Sequence, residues 1–220
     1  MDLATGSDSA AGTPPVTALR TIGDARSRVS SGDTVFLLPG VYSVASGESF
    51  PIVVDPGITL VSRVGKGVTS LELPHLVLHQ ATVQLLAGSS LVGVSTSSQG
   101  VWNLGVFGDN HGEPIVIQDC DLRGGHGGIY MGRGRTEVER STMCDVEVCI
   151  GIYSSSNREL VLRDCRLEGD GSGVLAQALH SSGDVSVEIE RCTIADNLAI
   201  GLVHGITFSP GSHMHSTILA

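Results

Sequence analysis

The sequence predicts an all-β chain folded as a parallel β-helix, with a short helix at the amino-terminal end. The first observation is a repeat of roughly 22 residues in the second half of the chain. The second is composition: 29 of 220 residues are Gly, whereas only four Phe, three Tyr and one Trp are present. Many turns and few rings are expected of narrow coils, because their interior has room mainly for aliphatic and small side chains.

The repeat becomes visible when four segments of the second half are aligned. They share the pattern apolar-x-apolar-x-x-Cys-x-apolar and are Ile115–Leu122, Thr136–Met143, Leu160–Leu167 and Val187–Ile194. One copy departs from the pattern at two positions, with Thr136 at the first apolar position and Ser141 in place of Cys. Alternation places every second side chain on one face of a strand. The two-residue step before Cys changes that phase, which indicates a corner between two strands.

A third strand that begins with Gly follows each copy. These strands are Gly128–Met131, Gly151–Ser154, Gly173–Ala176 and Gly201–His204, and Gly105–Gly108 precedes them. Three strands per period form a three-sided coil, and successive coils stack at roughly 4.8 Å. Each coil then buries its inner face only against its neighbours, as in other repeat architectures.

The alignment predicts columns of equivalent side chains along the helix axis. Three apolar columns point inward: Ile117, Val138, Leu162, Ile189; Leu122, Met143, Leu167, Ile194; and Ile129, Ile152, Val174, Leu202. Small buried groups stack after the corner: Cys120, Ser141, Cys165, Cys192. Charges of alternating sign occupy the corner and are expected to set the register: Asp119, Arg140, Asp164, Arg191.

The first half is less regular. Its strand candidates are Thr34–Leu38, Pro51–Val54, Ile58–Val61, Leu76–Leu78, Val83–Leu86 and Leu91–Val94. Apolar residues recur every three or four positions before them, which predicts a capping helix within residues 16–30: Leu19, Ile22, Ala25, Val29. We expect a flexible segment over 1–15, the β-helix domain over 16–208, and a tail over 209–220, where Gly211–Met214 resembles a cloning remnant.

Charge and cysteine usage exclude several classes of protein. With 13 basic and 23 acidic residues the net charge is −10, and no basic cluster is present, so nucleic acid is not expected as a partner. No run of 18 apolar residues predicts membrane insertion, and the first 18 residues lack the features of a signal peptide. Five cysteines without CxxC spacing argue against a metal site or a disulfide framework.

The segments Gly32–Tyr42 and Gly47–Leu60 resemble the opening of the DUF1565 family, and the resemblance extends over about residues 16–62. That family belongs to the pectin-lyase-like superfamily of right-handed parallel β-helices. The resemblance implies this fold, a carbohydrate context and an extracellular or cell-surface location, but no catalytic residues, since the family's own activity is undefined. In enzymes of the superfamily the site lies outside the strand that follows the longer turn, which here is the Gly-led strand.

Three of the few aromatic residues fall on outward positions of these Gly-led strands. We expect Phe107, Tyr130 and Tyr153 to form a column on which sugar rings stack, flanked by Arg133 and His180 as further substrate-binding residues. The alternative is that a long turn or a partner subunit covers this face, including a second copy of the chain.

Catalytic candidates lie in the turns beside that face. The segment Gly124–Gly127 resembles the Gly-His-Gly segment of polygalacturonases, which makes His126 a candidate, although the preceding Gly-led strand lacks the acid pair of those enzymes. Asp145, Glu168 and Asp170 could supply an acid/base pair or oxygen ligands for Ca²⁺. Solvated turns also contain such residues.

The sequence therefore predicts a protein that binds or processes a polysaccharide or oligosaccharide, with lyase- or hydrolase-like chemistry if it is an enzyme. The alternative is a non-catalytic structural or protein-interaction scaffold that uses the same face. No resident metal is expected, apart from the Ca²⁺ that the turn carboxylates could hold.

Overall fold

Three parallel β-sheets run side by side along the chain's long axis and form a parallel β-helix, as the repeat predicts. The computed structural model describes residues 1–2, 4–9, 12, 18–74, 80–98, 103–110, 112–146, 148–152, 158–169, 177–181, 185–195, 213–215 and 218–219. Each of the first six coils contributes one strand to sheet A, then one to sheet B, then one to sheet C, and the last two coils add described strands to sheets A and B.

Among the described residues, sheets A and B have eight strands each and sheet C has six. In spatial order, sheet A contains β1 (Thr34–Leu37), β4 (Thr59–Ser62), β7 (Ser90–Val92), β10 (Ile115–Gln118), β13 (Gly134–Glu139), β16 (Arg158–Arg163), β19 (Val185–Glu190) and β21 (His213–His215). Sheet B contains β2 (Gly40–Ser43), β5 (Thr69–Leu73), β8 (Ser95–Ser98), β11 (Asp121–Arg123), β14 (Thr142–Val146), β17 (Arg166–Gly169), β20 (Thr193–Ala195) and β22 (Ile218–Leu219). Sheet C contains β3 (Ile52–Val54), β6 (Ala81–Leu86), β9 (Leu104–Asp109), β12 (Gly127–Met131), β15 (Val148–Ile152) and β18 (Gln177–Ser181).

Most of the strands predicted for the first half are present, as β1, β3, β4, β6 and β7. The candidate Leu76–Leu78 lies outside the described residues. The sequence analysis missed β2, β5 and β8, because hydroxyl-bearing side chains interrupt their apolar patterns. Within the segment expected to be a tail, β21 and β22 extend sheets A and B.

Two of the three predicted inward columns are confirmed by the strand register. In sheet A, Ile117 pairs with Val138, and the column continues through the two following strands. In sheet B, Leu122 pairs with Met143, and this column also continues as predicted. Side chains of both columns are at most 1 % exposed.

The third predicted column is wrong by two residues. In sheet C, Ile129 pairs with Ile150, and Ile152 pairs with Met131 instead. The reason is the connection from sheet B, which spans seven residues from Leu122 to Ile129 and likewise from Met143 to Ile150. Equal connections, rather than the positions of the glycines, align these coils. The remaining members, Val174 and Leu202, lie outside the described residues.

The residue at the corner between sheets A and B adopts the left-handed (positive φ) backbone conformation. Five equivalent residues have φ between 47° and 67°: Gly93, Asp119, Arg140, Asp164 and Arg191. Glycine adopts this conformation without strain, whereas L-residues with a Cβ do so at a cost. The four charged residues form two bidentate ion pairs, Arg140 with Asp119 at 2.8 and 3.0 Å and Arg191 with Asp164 at 2.7 and 2.9 Å. The guanidinium of Arg140 holds the pKa of the Asp119 carboxyl below its usual range.

The residue after the corner is small and buried, as predicted. Cys120, Ser141, Cys165 and Cys192 are at most 3 % exposed. Ser141 Oγ accepts the Cys120 N–H at 3.1 Å and donates to the Glu139 carbonyl at 2.9 Å. The hydroxyl therefore replaces the thiol of the other coils without loss of hydrogen bonding.

A short helix closes the amino-terminal end of the coil stack. Helix α1 spans Ile22–Arg26, which is much shorter than the predicted segment 16–30. Thr21 caps it by accepting the Asp24 N–H at 3.2 Å. The buried carboxylate of Glu48 accepts the Ile22 N–H at 2.9 Å, and burial raises the pKa of Glu48. The apolar side of helix α1, which includes Ile22, packs on the core.

One aromatic ring lies inside the coils, contrary to the expectation of an interior too narrow for rings. Tyr42 is fully buried, pairs with Leu71 in the inward column of sheet B, and donates its hydroxyl to the Leu38 carbonyl at 3.0 Å. Burial raises the pKa of Tyr42. The first coils therefore hold a ring whose polar end is satisfied by the backbone.

Replacing Thr136 by Val is expected to stabilise the protein. Thr136 stands between Ile115 and Leu160 in an inward column, is 1 % exposed, and its Oγ1 has no hydrogen-bond partner among the described residues. Removing this hydroxyl should raise the free energy of unfolding by about 1 kcal/mol, measured from urea midpoints. Ser141→Ala is the control, and should lower it by about 1 kcal/mol, because it deletes a satisfied hydroxyl. An equal loss of unfolding free energy in both variants would contradict the conclusion that the Thr136 hydroxyl has no hydrogen-bond partner.

The positive φ of Arg140 predicts that a glycine at this position gives a more stable protein than an alanine. Both substitutions delete the exposed ion pair, which contributes little, but only alanine keeps the Cβ strain. Arg140→Gly should exceed Arg140→Ala in free energy of unfolding by about 1 kcal/mol, measured by urea denaturation. At Gln118, in strand β10, the order should be reversed. A more stable alanine variant at Arg140 would refute the corner conformation.

Candidate functional site

The predicted aromatic column on sheet C is present only in part. Phe107 pairs with Tyr130, but Tyr130 pairs with Gly151 and not with Tyr153. The same two-residue shift that corrects the inward column causes this difference, and Tyr153 itself lies outside the described residues. The register instead continues from Gly151 to His180, so His180 occupies the column that begins with the two rings.

Tyr130 is not available as a flat platform. It is 7 % exposed, and its ring lies over Gly127, where a Cβ would overlap it. The His126 ring stands beside it, with 5.8 Å between centroids and an interplanar angle of 39°. Phe107 is half-buried. Within the described residues, the Tyr130 ring is therefore buried and does not present a face on which a sugar could stack.

The Gly-His-Gly segment has a structural explanation. Gly124 and Gly125 have φ of 72° and 79°, and a Cβ on them would lie 2.6 Å from the carbonyl oxygens of Ser98 and Asn103 respectively. The His126 N–H donates to the Asn103 carbonyl at 2.8 Å. These glycines let one turn lie directly on the turn of the preceding coil.

The predicted catalytic carboxylates are brought near one another only in part. Asp145 is exposed near the end of β14 with φ 57°, and Glu168 lies in the neighbouring strand β17, where it forms an ion pair with Arg166. The pairing of these strands shifts between Met143 and Val146. Asp170 lies outside the described residues.

The predicted binding residue Arg133 is exposed in the turn after β12, at the opposite end of this strand from His126. Within the described part of the chain, no group of three or more His, Cys, Asp or Glu side chains is placed to hold a metal ion. In that part, no helix has the length and apolar character needed to cross a membrane.

A groove that the sequence analysis did not predict lies over the outer face of sheet B. It has a volume of about 460 Å³ and crosses strands β2, β5, β8 and β11. Its floor consists of outward residues that pair across the strands: Val41, Ser70, Ser95 and Asp121, and, two positions further along β8 and β11, Ser97 and Arg123. Glu72 pairs with Ser97 and continues this second row beyond the groove. A smaller hollow of about 200 Å³, lined by Val44 and Glu72 among others, continues it.

A loop between β4 and β5 forms the wall of the groove. At its base, Ser62 Oγ accepts the Gly65 N–H at 2.9 Å and is hydrogen-bonded to Thr69 Oγ1 at 2.8 Å. At its tip, Ser95 Oγ donates to the Lys66 carbonyl at 2.5 Å. The base and the tip of the loop are therefore fixed by hydrogen bonds. The Lys66 side chain then lies over sheet B.

Three charged side chains meet in the groove. Lys66 Nζ lies 2.8 Å from Asp121 Oδ1, and Arg123 Nη2 lies 3.7 Å from Asp121 Oδ2. Lys66 is the single lysine of the chain. Beside this cluster, Ser70 Oγ donates to Glu72 Oε1 at 2.9 Å. The groove thus presents hydrogen-bond donors and acceptors of both charges along one face.

Apolar side chains border the polar floor. Val41 and Val68 are 48 % and 49 % exposed and line the groove, and Val44 is 55 % exposed in the adjoining hollow. Exposed valines beside rows of hydroxyls form an amphipathic surface, which suits a ligand with both C–H faces and hydroxyl groups.

The comparison with known families concerns the amino-terminal half of the chain. Residues 4–108 match the family model of DUF1565, described as a protein of unknown function. The matched segment contains Lys66 and most of the groove floor, but not Asp121 and Arg123. No curated protein matches the chain.

Cys144 should be the thiol that reacts in the native protein. It is half-buried and pairs with Arg123 at the end of the groove, whereas the other four cysteines are buried. Burial raises the pKa of Cys144, and it raises the pKa of Cys120 and of Cys149 to about 12. Ellman's reagent should modify one thiol in native protein and five after unfolding, and Cys144→Ser should abolish the native reaction. A fast reaction that persists in this variant would contradict the packing of the corner cysteines.

Proposed function

We propose that this protein binds an extended polysaccharide in the groove over sheet B. The observation that supports it best is a pair of polar rows on three successive strands, with Val41 and Val68 beside them. The rows are Ser70, Ser95, Asp121 and Glu72, Ser97, Arg123. An open groove that crosses several strands fits a chain better than a compact ligand.

The chemistry of the groove suits sugar rings. A pyranose presents hydroxyls at its rim and C–H groups on its faces. Ser97 can donate and accept hydrogen bonds, whereas Ser70 and Ser95, whose O–H groups already donate to Glu72 and to the Lys66 carbonyl, can accept them. Asp121 also accepts, and Lys66 donates. The exposed valines supply apolar contact to the ring faces.

The spacing of the coils also supports this assignment. Adjacent strands lie roughly 4.8 Å apart, which is close to the length of one sugar unit in an extended chain. Equivalent positions on successive strands, such as Ser70 and Ser95, would then contact successive sugars. Repetition of weak contacts along a chain gives useful affinity without a deep pocket.

Binding without cleavage is the version that we propose. The carboxylates that line the groove or its adjoining hollow, Asp121 and Glu72, already bind Lys66 and Ser70 respectively. A glycosidase needs two carboxyl groups that face each other across the scissile bond. The candidates Asp145 and Glu168 lie in later coils, beyond the strands that form the groove.

A protein-interaction scaffold is the second candidate function, and one observation favours it. The outward column of sheet A begins with Phe36, Val61 and Val92, and Phe36 is 50 % exposed. Val64, in the nearby loop, is 65 % exposed. Exposed apolar side chains in neighbouring coils are typical of contact surfaces.

A glycan panel tests the two candidates. Wild-type protein should bind at least one immobilised polysaccharide, and the double variant Lys66→Ala/Arg123→Ala should bind it about tenfold more weakly, since it loses charged hydrogen bonds. Phe107→Ala, on sheet C, is the matched control and should bind like wild type. Bound glycan should also slow alkylation of Cys144, which is paired with Arg123.

Loss of binding in Phe107→Ala but not in the double variant would move the site to sheet C and reject the groove. No binding to any glycan, together with concentration-dependent association that Phe36→Ser abolishes, would favour the scaffold function.

A further inference from the structure

We infer that the groove over sheet B selects neutral polysaccharides and discriminates against chains of acidic sugars, an inference that rests on the proposed function. Its basis is the position of Asp121 between the two cations of the groove. A carboxylate at that position occupies the place where an acidic sugar would otherwise bind.

The cations of the groove are already compensated. Lys66 Nζ is 2.8 Å from Asp121 Oδ1, and the second carboxylate oxygen faces Arg123 at 3.7 Å. The Asp121 side chain is 19 % exposed, less than those of Lys66 at 34 % and Arg123 at 54 %. An incoming carboxylate or sulfate that pairs with either cation therefore comes close to the Asp121 carboxylate, which is paired with both of them.

Charges beyond the cluster act in the same direction. Glu72 lies in the row of Arg123 and adds a second carboxylate, so Lys66, Arg123, Asp121 and Glu72 sum to zero. The whole chain carries −10. An acidic polymer therefore meets no local positive excess and a repulsive overall field, which slows its association and weakens its binding.

A neutral sugar uses the same groups without this penalty. Adjacent hydroxyls of one ring can donate to Asp121 Oδ2 and accept from Lys66 or Arg123, because each hydroxyl both donates and accepts. Ser95 and Ser97 continue this pattern on the floor. Both charges of the ion pair then contribute hydrogen bonds, and neither must be neutralised by the ligand.

Matched pairs of probes test the inference. Oligomers of cellulose, mannan and amylose are each compared with the counterpart in which C6 is oxidised to a carboxylate, so that the members of a pair differ only in charge. Reductive methylation with ¹³C-formaldehyde labels Lys66, the single lysine, together with the amino terminus, and keeps both positive charges. The Lys66 methyl signal, identified as the one absent from Lys66→Arg, reports binding at the groove, and calorimetry gives the Kd of each probe.

Wild type should bind at least one neutral oligomer about tenfold or more tightly than its oxidised counterpart, because like charges face each other in the latter complex. Asp121→Asn should reduce or reverse this ratio, since it frees Lys66 and Arg123. Asp164→Asn removes the same charge at a corner outside the groove and should leave the ratio unchanged.

The outcomes separate the two claims. If wild type binds the oxidised member of each recognised pair as tightly as the neutral one or more tightly, the inference is wrong while the proposed function stands. A ratio shifted equally by Asp164→Asn would assign the preference to overall charge and also overturn the role of Asp121. If neither polysaccharide panel nor oligomers bind, the proposed function fails and the inference fails with it.

Discussion

Hydrogen bonding between successive coils on both sides of the corner between sheets A and B is the constraint on which the structure depends. The corner residues Asp119 and Arg140 each donate their N–H to the next coil, to the carbonyls of Glu139 and Arg163 at 3.0 and 2.9 Å. The ladder resumes immediately beyond the corner, where Thr142 donates to the Cys120 carbonyl at 2.9 Å. Two sheets are thereby locked in one register, and a left-handed backbone at charged residues is tolerated because the neighbouring coils hold it in place.

The fold can be predicted from sequence where the hydrogen-bonded corner fixes the register. Where the corner has constant length, the spacing of apolar residues was sufficient to predict both inward columns, the small buried residue and the ion pairs. The connection from sheet B to sheet C varies along the chain, from seven residues between Met143 and Ile150 to twelve between Leu167 and Leu179. The spacing of the glycines is therefore a poor guide to its register, and the predicted alignment is displaced by two residues at Ile150 and Gly151, where the connections are in fact equal. A shift of two keeps every side chain on its own face, and the pattern of apolar residues could not reveal the error.

The candidate groove was not predicted for a different reason. Hydroxyl-bearing residues on the outer face of a strand form no periodic apolar pattern, and Ser95–Ser98 was therefore not identified as a strand. The meeting of Lys66 with Asp121 joins positions 55 residues apart and depends on a loop that Ser62 and Ser95 hold in place. Two features of the sequence do point to the groove. The chain has a single lysine, and the two-residue spacing of Asp121 and Arg123 places both on one strand face. Scarcity of aromatic residues directed attention to sheet C instead, although one ring, Tyr42, serves the core.

The alternation of acid and base along the corner also limits how such a chain can evolve. Coils are units that duplicate and delete readily in repeat proteins, but here the sign of the corner charge has a period of two coils. Loss of the single coil that carries Arg140 would bring Asp119 next to Asp164, and duplication of one coil would place two like charges side by side. Gain or loss of coils in pairs avoids this conflict. We therefore expect the lengths of related β-helices with this corner to differ by even numbers of coils.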